Sequence, residues 1–79
     1  MNYKIAYGTA GQGNVYEIST NDLDRARQFV SDQKNTHNAW TQVWSDLRND
    51  YVYDDLYGGI DLLFTRDSDL RTKTGRAIA

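Results

Sequence analysis

The sequence predicts an α+β domain: a small antiparallel sheet of three or four strands with two helices on one face, in the order ββααβ(β). Three observations carry that expectation. Tyr3, Ile5 and Tyr7 alternate with Lys4 and Ala6, the period of a strand with one buried face. Two stripes at helical spacing occupy the middle of the chain. Ile60, Leu62 and Phe64 then alternate with Asp61, Leu63 and Thr65, which reads as a further strand.

Residues 2–8 form the first strand, and residues 14–18, with Val15, Tyr16 and Ile18, form the second. The connector from Gly8 to Asn14 contains three glycines and an asparagine, residues that tolerate positive φ, so the pair reads as a hairpin. Ser19 followed by Asp22 resembles a capping box, with Ile18 and Leu23 as a hydrophobic staple. Leu23, Ala26, Phe29 and Val30 give the following helix an apolar stripe to about Gln33, with Arg25, Arg27 and Gln28 facing water. Residues 35–38 are a polar break able to cap a second helix. Trp40, Val43, Trp44, Leu47 and Tyr51 match helical spacing, which predicts a second helix ending near Tyr51 or continuing to Gly58-Gly59. After the third strand, residues 66–69 have turn chemistry. Residues 70–74 are then expected as a short edge strand or a helical turn, and 75–79 as a tail.

Seventy-nine residues allow one small domain, and ten aromatic residues supply enough apolar bulk for its core. The absence of cysteine excludes disulfides and Cys-based metal sites. The first residues turn polar by Gly8, with no apolar signal-peptide core, and no run reaches membrane-spanning length. A cytoplasmic protein without a membrane partner is therefore expected.

The net charge of −2 is unevenly placed. Residues 37–64 carry Asp46, Asp50, Asp54, Asp55 and Asp61 against Arg48 alone, a net of −4. On a helix, Asp46, Asp50 and Asp54 would line up as a column of carboxylates with no i, i+4 cation beside it. Such a surface attracts a basic groove. Tyr53 and Tyr57 fall off the main stripe beside Asp54 and suit an interface, or the edge of the core, whereas Trp40 and Trp44 are expected within the core.

Other motifs fail their chemistry. The glycine loop precedes a strand and has no Lys-Ser/Thr pair, so it is not a phosphate cradle. Asp67-x-Asp69 leads to Arg71 and Thr72 where a calcium loop needs an oxygen ligand and a glycine. His37 is the sole histidine, which gives neither a zinc set nor a catalytic triad; it is expected to be solvated or to cap a helix. No catalytic residue, cofactor or metal is expected. Arg71, Lys73 and Arg76 offer only salt-sensitive, sequence-blind contact with nucleic acid, so direct nucleic-acid binding is the second choice.

Tyr3-Lys4-Ile5 entering a hairpin, and Tyr16-Glu17-Ile18-Ser19 leading into the helix of Leu23 to Val30, resemble the opening of many small phage proteins. The acidic, Cys-free chain of this length is similar to phage-encoded anti-CRISPR inhibitors. The resemblance implies a non-enzymatic protein that binds a larger host protein or ribonucleoprotein and blocks its basic nucleic-acid site. The candidate contact residues from the chain itself are Asp46, Asp50, Tyr53, Asp54, Asp55 and Tyr57.

Overall fold

A computed structural model describes residues 2–9, 11 and 13–65. Five strands and one helix follow in the order β1 (Tyr3–Thr9), β2 (Tyr16–Thr20), α1 (Leu23–Thr36), β3 (Ala39–Ser45), β4 (Asp50–Asp54) and β5 (Ile60–Asp61). The strands make one antiparallel sheet in the spatial order β2-β1-β3-β4-β5. The expected hairpin and first helix are present, with the second strand two residues later than expected, at Tyr16–Thr20 rather than 14–18.

Helix α1 starts at Asp22, whose carboxylate accepts from the amides of Asp24 and Arg25 at 2.9 and 3.4 Å. The N-cap is thus Asp22 itself, three residues after the Ser19 that the sequence favoured, and the helix runs past Gln33 to Thr36. His37 serves as its C-cap. Of the apolar stripe, Ala26 and Val30 are fully buried, and Leu23 and Phe29 pack against the core.

The expected second helix is replaced by strands. Residues 39–45 form β3, centred between β1 and β4, and a turn at 46–49 reverses the chain into β4. Asn49 holds that turn with φ 55° while its amide donates to the Ser45 carbonyl at 2.8 Å. The physical reason lies in the alternation of β3. Ala39, Thr41, Val43 and Ser45 are buried towards α1, while Trp40, Gln42 and Trp44 point to the opposite face. Small side chains under the helix let it approach the sheet, so the bulk sits on the other side.

A bulge between Val43 and Trp44 sets Tyr51 opposite Trp44 and Tyr53 opposite Val43. Val52 is the inserted residue, which puts two consecutive side chains, Val52 and Tyr53, into the core. Strand β5 is only two residues long, shorter than the expected run to Thr65. Beyond it the amides of Leu62 and Leu63 both donate to the Val52 carbonyl. That turn buries Leu63 and leaves Phe64 half exposed, the reverse of the expected alternation. The expected turn at 66–69, the fourth strand and the tail lie outside the described residues.

The core is a single cluster of Tyr3, Ile5, Ala26, Val30, Val43, Val52, Tyr53 and Leu63, all between α1 and one sheet face. The sheet therefore has two unlike sides, one closed by the helix and one without a described helix or strand upon it.

Candidate interaction surface

The register fixes which side chains share the open face. Lys4 pairs with Trp44, Ala6 with Gln42 and Gly8 with Trp40 across β1 and β3. On β4, Tyr51 stands beside Trp44 and Asp54 beside Gln42, and Ile60 of β5 follows Asp54. On β2, Glu17 stands beside Ala6 and Ser19 beside Lys4. The face thus carries both tryptophans of the chain, flanked by Tyr51 and by small residues on β1.

Trp40 and Trp44 are four residues apart on one strand, about 13 Å. Trp44 meets the edge of the Tyr51 ring at a centroid distance of 5.1 Å and an interplanar angle of 87°, a favourable T-shaped contact. Trp40 lies over Gly8, where a Cβ would come within 2.8 Å of both its ring and the Asn14 carbonyl. Glycine is therefore needed at position 8 for close approach of the indole. Tyr51 is 40% exposed, and both indoles are half buried, presenting surface to solvent.

The carboxylates do not form the column that a helix would have made. Asp46 and Asp50 stand at one end of β4, in and beside the turn, and Asp54 and Asp55 at the other, roughly 13–16 Å away. Asp46 is exposed. Asp50 accepts from the Tyr51 amide at 2.8 Å. One oxygen of Asp54 accepts from the amides of Leu56 and Tyr57 at 2.9 and 3.1 Å and shapes the β4–β5 loop. Asp55 accepts from the Thr41 amide at 2.6 Å and from the Tyr53 hydroxyl at 3.3 Å, extending the β3–β4 pairing. Among the described residues the ion pairs are Arg25–Asp22 and Arg27–Asp24, both on the helix side. Arg48 is buried. The carboxylates of the β3–β5 half thus fall at the two ends of β4 and on both sides of the sheet: Asp54 shares the aromatic face with Gln42, whereas Asp50 and Asp61 stand opposite Ser45 and Tyr53 on the helix side.

The two tyrosines of the sequence proposal separate. Tyr53 is only 6% exposed and packs edge-on against Phe64 at 5.8 Å, so it belongs to the core. Tyr57 is 84% exposed on the β4–β5 loop. Trp40 and Trp44, expected inside, sit on the open face instead. The signal that would have found them is the alternation of Thr41, Val43 and Ser45 with large neighbours, a strand period hidden inside an apparent helical one.

Burial, then the Asp55 charge and its hydrogen bond, with Asp61 behind, push the Tyr53 phenol up to about 12 from 10.0. Below pH 10 both folded and unfolded chains keep this proton, and the stabilisation is complete. Between about pH 10 and 12 the unfolded chain loses it while the folded chain retains it, so stability falls as pH rises. The loss should approach roughly 2 kcal/mol by pH 12. Denaturant midpoints measured across this range should fall more steeply for the wild type than for Tyr53→Phe; parallel profiles would contradict the assignment.

Hollows on this half are shallow. That beside the β4–β5 loop measures about 370 Å³ and is walled by Tyr53, Asp54, Asp55 and Asp61. Among the described residues no group of three His, Asp or Glu side chains is placed to hold a metal ion, and no helix is long and apolar enough to cross a membrane. No protein-family model, curated protein or solved structure matches this chain.

Proposed function

We infer that this chain is a small non-enzymatic binding protein that covers the basic surface of a larger partner with the open face of its sheet. The observation that carries the reading is the solvent-facing set of Trp40, Trp44 and Tyr51 with carboxylates at both ends of β4. Aromatic side chains on a rigid sheet contribute contact area with little loss of rotamer freedom, and they dominate interface energetics. Asp54, opposite Gln42 on that face, Glu17, opposite Ala6, and Asp46 at the turn end attract lysine and arginine and orient the approach. The mechanism is steric and electrostatic: a groove occupied by this face is closed to nucleic-acid phosphates. The resemblance to anti-CRISPR inhibitors points to the same class of partner.

A nucleic-acid strand stacked directly on the two indoles is the competing occupant. Lys4 is the one described cation placed on the face by the register, and Glu17 and Asp54 share it, so the local field repels phosphate. The basic segment containing Arg66, Arg71, Lys73 and Arg76 lies outside the described residues.

The immobilised full chain should retain basic proteins from a bacterial lysate that has been treated with nuclease, and release them as salt is raised. The double variant Glu17→Lys, Asp46→Lys, at two exposed positions, should lose them while keeping the wild-type circular dichroism. Equal retention by the variant, or tighter binding of a single-stranded oligonucleotide than of any retained protein, would overturn the reading.

A further inference from the structure

The two edges of the sheet are built differently. At one, β5 is two residues long and is followed at once by a turn. At the other, β2 is a regular five-residue strand, Tyr16–Thr20, in unbroken register with β1. It contains no proline, lysine or bulge, the usual devices that prevent edge pairing. Helix α1 packs mainly over β1 and β3, so the outer side of β2 is left open. Its backbone offers a row of donors and acceptors.

We propose that β2 pairs with β2 of a second copy of this chain, antiparallel about a twofold axis through Ile18, to make a continuous ten-stranded sheet. The strand is self-complementary about that residue. This register sets Tyr16 against Thr20, Glu17 against Ser19 and Ile18 against Ile18, and uses all five residues. Shifting it by one step along the same face sets Glu17 against Glu17, a like-charge opposition that is destabilising. In the favoured register each Glu17 meets a hydroxyl instead. Directly opposed residues share a face, so both helices lie on one side and both aromatic faces form one surface on the other. The contact is small beside the ~800 Å² per partner of a standard interface, so the dimer dissociates at micromolar or higher concentration.

Ser19 provides a test because its two neighbours have opposite charge preferences. Within one chain it stands opposite Lys4; across the axis it stands opposite Glu17 of the other copy. Ser19→Glu should stabilise the monomer fold but weaken dimerisation roughly three- to ten-fold, because each dimer gains two Glu–Glu oppositions. Ser19→Lys should do the reverse on both counts. Sedimentation equilibrium from micromolar to millimolar concentration, with urea midpoints measured on dilute samples, reads the two effects separately. A monomer at every concentration would overturn the proposal. So would a dimer whose dissociation constant is unmoved by both substitutions, or moves in the same direction as monomer stability.

Discussion

Trp44→Ala is expected to lower affinity for a basic partner retained by the wild-type chain by at least about 30-fold, which is roughly 2 kcal/mol. The indole lies near the middle of the open face, between Lys4 on β1 and Tyr51 on β4. Its removal also leaves the Tyr51 ring without the edge-on contact at 5.1 Å that orients it. Tyr51→Ala should produce a smaller loss in the same direction. Neither change touches the core cluster, which lies on the other side of the sheet. Gln28→Ala on the solvent side of α1 serves as a control and should bind as the wild type does. Titration calorimetry against a purified retained partner measures all three. A Trp44→Ala protein that binds within threefold of the wild type would remove the open face from the account.

Arg27→Met is expected to cost about 2–4 kcal/mol of folding stability, the largest loss from any single partly exposed side chain. Its guanidinium donates to the Leu63 carbonyl at 2.6 Å and to the Thr65 carbonyl at 2.8 Å, while facing Asp24 at 3.7 Å. These bonds fasten the segment after β5 to α1 and hold Leu63 in the core, where it is fully buried. Methionine keeps the apolar stem and removes the donors, so the loss reports the hydrogen bonds. Leu63→Ala should be strongly destabilising alone, yet less so in the Arg27→Met background, because both act on one clamp. Guanidinium-chloride unfolding of the four proteins measures this coupling. Additive losses, or an Arg27→Met effect below about 0.5 kcal/mol, would show that the clamp is not cooperative.

The first half of the chain was legible because its local signals agree with its final environment. Tyr3, Ile5 and Ile18 face the helix, and the stripe from Leu23 to Val30 faces them in return. Asp22 and the glycine-containing connector mark the ends of these elements. The second half misleads because burial and hydrophobicity part company there. In β3 the buried set is Ala39, Thr41, Val43 and Ser45, the small and partly polar residues, while the tryptophans lie outside. A reading that assigns the largest apolar residues to the core selects Trp40, Val43, Trp44, Leu47 and Tyr51, whose spacing fits a helix. Three of these five side chains are aromatic and suit a strand as well as a helix, so their spacing alone does not separate the two.

The candidate site inherited that error and retained part of its content. Asp46, Asp50, Asp54 and Asp55 were singled out for an imbalance of charge that is real in composition, but their alignment depended on a helix. In the sheet they fall at the two ends of β4, and Asp54 and Asp55 also organise loop and strand amides. Tyr53 moved into the core because a one-residue bulge, invisible in the pattern, changed the inward register. Of the two tyrosines, Tyr57 is the exposed one, and Asp46 is exposed with it.

The presence of only two tryptophans, both on the open face, gives the account its most direct measurement. The side-chain indole resonances of Trp40 and Trp44 can be followed by NMR as a purified basic partner is added. Both should shift or broaden in step with the backbone amides of β3 and β4, while the amides on the exposed side of α1 stay in place. Indoles that remain unchanged at saturation, with the perturbation confined to α1 or the β4–β5 loop, would contradict the claim that this face is where the partner docks.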